Sequence, residues 1–117
     1  MRHLKKGRKF GRKKGQRQSF IAGLLNNLIM EEGIMTTEAR AKEIRPRIEK
    51  LITIAKKNDL SSLRLLCSRL PEKAAFRLYY DIAPRYTKRE GGYVRVVKTA
   101  EVRKRDSAPK TIIEFVK

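Results

Sequence analysis

The chain has 117 residues, of which 30 are Lys or Arg and 12 are Asp or Glu, so its formal net charge is +18. The length predicts one domain, and the charge far exceeds the roughly 2–8 that solubility asks of a small domain. A body this basic indicates a polyanionic partner, with nucleic acid considered first and an anionic membrane second. One cysteine, Cys67, argues against disulfides and an oxidising compartment, and we predict it to be a small buried apolar residue.

Residues 1–17 form a basic extension, and we expect residues 18–117 to form a single globular α+β domain. The extension holds no acid, and Gly7, Gly11 and Gly15 recur at every fourth position, a spacing that predicts no helix. The extension has too few apolar residues to offset the conformational entropy that it would lose on folding. We therefore expect it to be disordered in the free protein and to fold when it binds phosphates. Its nine cations are Arg2, Lys5, Lys6, Arg8, Lys9, Arg12, Lys13, Lys14 and Arg17.

A helix follows, with Ser19 as its predicted N-cap and Gly33 as its C-terminal cap. Its apolar positions form two adjacent ridges of helical spacing: Phe20, Leu24 and Leu28, and Ile21, Leu25 and Ile29. Residues 34–37 are a short strand candidate, and Thr37 is a predicted cap of the next helix. That helix spans about 38–57, and Pro46 should kink or split it. On one side of this helix lie Arg40, Arg47 and Lys50. Such a basic stripe is equally consistent with RNA contact and with simple exposure to solvent.

The second half changes from helical to strand periodicity. We predict a short helix through residues 63–70, another that Pro71 starts and Pro84 ends, and a basic connector from Arg85 to Arg89. Residues 93–98 and 111–116 are rich in β-branched side chains and predict two strands, joined by an extended basic loop over residues 99–110. The predicted fold is a two-layer α+β body with about four helices on a small three-stranded sheet and an extended basic N-terminal tail.

The inventory of reactive side chains argues against an enzyme. The one histidine, His3, lies in the flexible extension, and one Cys with one His cannot assemble a metal site. No glycine-rich phosphate loop follows a predicted strand. We therefore expect no catalysis, no cofactor, no metal and no small-molecule substrate. No apolar run approaches the ~20 residues of a membrane span and no signal peptide is evident, so we expect a cytoplasmic protein.

Clustered cations with few acids nearby favour nucleic-acid binding. Tyr86, Tyr93 and Phe10 lie among these charges and could stack on bases, although covering the sheet is the favoured role for Tyr93. A glycine-punctuated tail without a reading helix suits RNA better than duplex DNA. We predict these RNA-binding residues: Arg2, His3, Lys5, Lys6, Arg8, Lys9, Arg12, Lys13, Lys14, Arg17, Arg40, Arg47, Lys88, Arg89, Arg95, Arg103, Lys104 and Arg105.

The high positive charge is also typical of two other classes of protein. A DNA-architectural protein is the alternative function, but such proteins usually dimerise, and no self-complementary apolar surface is evident. A cationic membrane-binding protein would need a helix with basic and apolar faces. The best amphipathic helix, over residues 19–32, ends in Glu31-Glu32 and has no basic face.

Short motifs along the whole chain resemble one family, the bacterial large-subunit ribosomal protein numbered seventeen. They are Met1-Arg2-His3, Thr36-Thr37, Arg40-Ala41-Lys42-Glu43, Leu51-Ile52-Thr53-Ile54-Ala55-Lys56, Arg89-Glu90-Gly91-Gly92-Tyr93, Asp106-Ser107-Ala108-Pro109 and Ile113-Glu114-Phe115-Val116. The resemblance implies a two-layer α/β body with a basic extension, bound to 23S rRNA near the peptide exit tunnel and beside other large-subunit proteins. The chain departs from the family pattern at Arg105, where glycine is usual, and at Lys110, where methionine is common.

Overall fold

A computed structural model describes residues 3–4 and 6–117, so Arg2 and Lys5 lie outside the described residues. Four α-helices and three strands occur in this part of the chain, which confirms the predicted α+β class. The elements are α1 (Lys14–Glu31), β1 (Gly33–Thr37), α2 (Glu38–Lys56), α3 (Leu60–Arg69), α4 (Glu72–Arg77), β2 (Val94–Val102) and β3 (Pro109–Phe115). A π-helical turn (Leu78–Ile82) and a 3₁₀ turn (Ala83–Tyr86) continue α4.

The sheet is antiparallel with strand order β1-β3-β2, so the C-terminal strand is central. Ile113 of β3 lies opposite Ile34 of β1 and Val96 of β2. Alternate residues of β3, namely Thr111, Ile113 and Phe115, are buried, because this face of the sheet carries the helices. The opposite face carries the half-exposed Met35 and Val97.

Helix α2 is the centre of the core. Its Ala41, Ile44, Ile48 and Ile52 are fully buried and pack with the buried side chains of α1, of the π-helical turn and of β3. The predicted cap is confirmed, since the Thr37 hydroxyl accepts a hydrogen bond from the Arg40 amide at 3.4 Å. The helix is continuous through Pro46, so of the two predicted effects of this proline, a kink or a split, the split is wrong.

Helix α1 begins six residues earlier than the predicted Ser19 cap implies, and that cap is wrong. Lys13 is the N-cap residue, and its amide donates to the Gln16 side chain at 3.3 Å. Gly15 lies in the first turn of α1. Its unfavourable effect on helix stability is offset there by the helix-forming residues that follow it.

The end of α1 also differs from the prediction. Glu32, not Gly33, takes the left-handed conformation (φ 63°), and its amide donates to the Leu28 carbonyl at 2.8 Å. Gly33 begins β1, where a Cβ would stand 3.3 Å from the Cβ of Glu114. Glycine is thus favoured here by the close approach of β3, not by a helix cap.

Three further expectations are corrected. Strand β2 continues to Val102, which shortens the predicted loop to residues 103–108, and the Thr99 hydroxyl helps by donating to the Lys110 carbonyl at 2.7 Å. Pro84 does not end the helical run, because a 3₁₀ turn accommodates a proline near its start. Cys67 is exposed, since α3 turns Leu66 inward and leaves the next residue on its outer side.

Candidate nucleic-acid interface

Phe10 and Arg12 of the extension are held against the body by stacking around Phe20. Over this ring lie the Arg12 guanidinium, 3.8 Å from the centroid, and the Arg40 guanidinium, 5.0 Å away. The Phe10 ring meets it edge-on at a centroid distance of 5.4 Å. We call residues 6–13 the N-terminal segment. One aromatic ring of α1 thus joins this segment to α2 and gathers two cations.

A cleft of about 430 Å³ lies where the N-terminal segment, the start of α2 and the β2–β3 hairpin meet. Arg8, Lys42 and Arg103 line it, one from each of these elements, together with Glu38. We call it the α2–hairpin cleft. Its cations come from regions of the sequence that lie more than 30 residues apart, and the fold brings them to one concavity.

Glu38 is the acid within this cleft, and it is already neutralised. Its carboxylate lies 2.6 Å from the Lys42 ammonium and 3.7 Å from that of Lys98. The hydrogen bond from Lys42 and its charge lower the pKa of Glu38, so the carboxylate stays ionised at neutral pH. With Arg8 and Arg103 added, the cleft retains an excess of positive charge that suits a phosphate.

Arg103, one of the predicted RNA-binding residues, fixes the conformation of the hairpin loop. Arg103 Nε donates to Asp106 at 3.0 Å, and its terminal nitrogen makes a second bond to the same carboxylate. This pairing and the Ala108 amide lower the pKa of Asp106. Lys104 and Arg105 at the tip are exposed and have no hydrogen-bond or ion-pair partner among the described residues. They are therefore the free cations of this loop.

The basic connector is anchored to the body by its own side chains. Arg85 pairs with Glu32 and Asp81, and these hydrogen bonds raise its pKa. The Arg89 carbonyl accepts a hydrogen bond from the Lys56 ammonium, which also donates to the Tyr93 hydroxyl at 2.8 Å. Lys88 is exposed at the end of this anchored stretch.

The aromatic residues predicted as possible base-stacking partners serve the core instead. Tyr86 and Tyr93 are 4% and 3% exposed, and their ring centroids are 5.3 Å apart. The Tyr86 hydroxyl donates to the Val116 carbonyl at 2.5 Å, and burial raises its pKa. Base stacking is thus wrong for both tyrosines, the favoured covering role of Tyr93 is confirmed, and Phe10 is half-buried against Phe20.

The remaining predicted cations are spread over several surfaces. Arg95 is paired with Glu114 at 2.6 Å on the open face of the sheet, and Arg47 lies 3.4 Å from Glu43 on α2. The Arg17 guanidinium donates to the Arg12 carbonyl at 3.5 Å. Exposed positions are occupied by His3, Lys6, Arg8, Lys9, Lys13 and Lys14.

Sequence reasoning missed Lys42 and Lys98, which the fold places beside Glu38. The spacing of Lys42 four residues after Glu38 was the available signal, whereas the position of Lys98 depends on strand register. Within residues 3–4 and 6–117, no group of three or more His, Cys, Asp or Glu residues could hold a metal ion. No described helix is both long and apolar enough to span a bilayer.

Comparison with known proteins gives consistent matches over almost the whole chain. A family model described as ribosomal protein L17 matches residues 20–116. The large ribosomal subunit protein bL17 of Thermodesulfovibrio yellowstonii is 49% identical over 117 residues, which cover 99% of this chain and 87% of that protein. The protein of the same name from Hydrogenobaculum sp. is 45% identical over 117 residues, which cover 99% of this chain and 99% of that protein. That of Enterococcus faecalis is 41% identical over 94% of this chain and 98% of its own length.

Proposed function

Because this chain belongs to the ribosomal protein L17 family, we propose that it binds and stabilises 23S rRNA near the peptide exit tunnel, beside other proteins of the large subunit. Membership of this family makes it a structural component of the large ribosomal subunit in the bacterial cytoplasm, with a role in translation and not an enzyme. The exit-tunnel position rests on the family resemblance alone.

The observation that carries rRNA binding is the excess of cations at the α2–hairpin cleft, where Arg8, Lys42, Lys98 and Arg103 outnumber the two carboxylates that pair with them, Glu38 and Asp106. Cations gathered from separate elements can neutralise phosphates of separate RNA segments, so those segments can approach one another. Each phosphate contact also releases condensed counterions, which favours binding at low salt and makes the affinity fall as the salt concentration rises. The mechanism is thus assembly by charge neutralisation.

Among the described members of the eighteen predicted RNA-binding residues, some cations are exposed and free and others are paired with carboxylates. Lys104 and Arg105 at the hairpin tip and Lys9 and Lys14 near the start of α1 are exposed and available to phosphates. Arg95 and Arg103 are held by carboxylates, so we assign them a smaller share of the affinity and a larger one in positioning. Arg2 and Lys5 are assigned to RNA binding by the extension from the sequence alone.

A competition experiment tests this function. The purified protein is mixed with 23S rRNA or with duplex DNA of equal phosphate content, and binding is measured by filter retention over a salt series. We expect tighter binding to the rRNA and retention at salt concentrations that release the DNA. Sedimentation of a lysate at low and high salt gives the matching measurement in the cell. Equal affinity for both polymers, or recovery with the nucleoid, would support a DNA-architectural protein instead.

A further inference from the structure

A second and larger concavity lies on another side of α2, between α1, α2 and α3. Its volume is about 990 Å³, and Lys6 and Gly7 of the N-terminal segment contribute to its border. We call it the α1–α2 groove. It shares no lining residue with the α2–hairpin cleft, and so it is a separate feature of the surface.

The floor of the groove is apolar. Ile21 and Leu25 of α1 and Leu51 of α2 line it, and each belongs to the hydrophobic core with 5% of its surface exposed. Ala22 and Pro46 extend this apolar lining. A site that binds only phosphates needs cations but does not need an apolar floor. The groove therefore suits a ligand that also has an apolar face.

The rim of the groove is cationic. Lys6, Arg47, Lys50 and Arg69 come from the N-terminal segment, α2 and α3, against the single acid Glu43. Arg47 lies 3.4 Å from Glu43. The side chains of Lys6, Lys50 and Arg69 make no ion pair or hydrogen bond within the described part of the chain. Three unpaired cations around an apolar floor indicate a ligand that combines anionic groups with a flat apolar surface.

We propose that the α1–α2 groove receives an unstacked nucleotide of the RNA, with its base on the apolar floor and the neighbouring phosphates held by the rim cations. This inference rests on the proposed function and adds a base-capture site to binding by charge alone. A nucleotide in a duplex has its faces covered by stacking, whereas loops and bulges offer splayed bases to proteins. The ligand is therefore a single-stranded RNA segment, and an acidic peptide with an apolar side chain is the competing occupant.

Site-specific photocrosslinking identifies the occupant in assembled large subunits. We would place p-benzoylphenylalanine at Gln18, an exposed residue on the groove border, and at Asn27 as a matched exposed position on the same helix outside it. From position 18 we expect crosslinks to a short unpaired stretch of 23S rRNA that position 27 does not give. Crosslinks from position 18 to a protein, or to no rRNA, would overturn the proposal.

Filling the groove tests base capture separately from charge. Ala22→Trp covers the floor without a change of charge, and we expect it to weaken rRNA binding by roughly tenfold while the salt dependence stays as in the parent. Lys50→Ala with Arg69→Ala should instead reduce the slope of log affinity against log salt by about 1.4–1.8. Asn27→Trp is the control, and thermal unfolding checks that each variant is folded.

Ser19→Trp, at an exposed groove position, replaces Ala22→Trp if that variant does not fold. Parental affinity in a folded groove-filled variant overturns base capture and leaves rRNA binding intact. If the parent itself fails to prefer rRNA over DNA, the proposed function fails first, and the two failures are thereby distinguished.

Discussion

The Arg12 guanidinium stacks on the Phe20 ring, 3.8 Å from its centroid, and so links the N-terminal segment to α1. The same guanidinium donates to the Phe10 carbonyl at 2.7 Å, while the Phe10 ring packs against the edge of Phe20. A short local cluster therefore sets the direction in which the N-terminal segment leaves the body. It also brings Lys6 and Arg8 to the borders of two different concavities.

Phe20→Leu should loosen the N-terminal segment while the fold is kept. The leucine retains apolar volume but loses the cation–aromatic contacts, each worth about 0.5–1 kcal/mol at exposed sites. A loss of this size corresponds to a roughly two- to fivefold increase in trypsin cleavage after Lys9 and Arg12, followed by mass spectrometry. Phe76→Leu changes an exposed aromatic residue elsewhere and should leave these cleavages unaltered. Parental cleavage rates in Phe20→Leu would show that the stack does not hold the segment.

The sequence predicted the helices and strands wherever a periodic apolar pattern met a strong local signal. Thr37 before an amphipathic run correctly marked the start of α2, and β-branched runs correctly marked β2 and β3. Helix ends were less predictable, because several neighbouring residues can cap a helix at similar free energy. Glu32 takes the left-handed position although Gly33 follows it, since Gly33 is needed where β3 approaches.

The candidate site was predictable in composition and not in arrangement. Counting cations identified the extension and the hairpin loop, but local sequence could not say which cations are already paired. The partner of Arg95, Glu114, follows from strand register, and the Arg85–Glu32 pair joins residues 53 positions apart. The burial of Tyr86 and Tyr93 was likewise decided by long-range packing, whereas the sequence offered only their proximity to basic residues.

Leu24→Ala should destabilise the body rather than weaken RNA contact. Leu24 is buried within the hydrophobic core on α1, and removal of a buried leucine side chain typically costs about 2–5 kcal/mol. Met30→Ala on the same helix is the matched control, because Met30 is 36% exposed and should cost far less. Urea denaturation measures both variants. Equal midpoints for the two would place Leu24 outside the structural core.

Asp106→Asn should destabilise the protein at neutral pH and not in acid. The pKa of Asp106 is held below its ordinary value by Arg103, so its ionised form stabilises the folded hairpin. That contribution is present above the unfolded pKa of about 3.9 and is lost as the pH falls through the lower folded value. The difference in free energy of unfolding between parent and variant should therefore close on acidification. Glu90→Gln, which removes an exposed acid outside the hairpin, is the matched control. A difference that persists unchanged in acid would assign the effect to something other than the carboxylate charge.

Deletion of residues 1–13 should remove most of the salt-dependent affinity for rRNA while the body stays folded. The deletion ends just before α1 begins at Lys14, and it removes seven Lys and Arg residues and no acid, so the formal charge falls from +18 to +11. If all seven engage phosphates, the slope of log affinity against log salt should shrink by about 5–6. Substitution of five connector and loop cations by glutamine (Lys88, Arg89, Arg103, Lys104 and Arg105) should cost less, because Arg103 is already paired with Asp106 and an exposed loop reaches fewer phosphates at once. Filter binding over a salt series compares both variants with the parent, and urea denaturation verifies the truncated body. A truncated protein that keeps the parental slope would assign the main electrostatic contact to the connector, the hairpin tip and the exposed side of α2, and the roles proposed for extension and body would be exchanged.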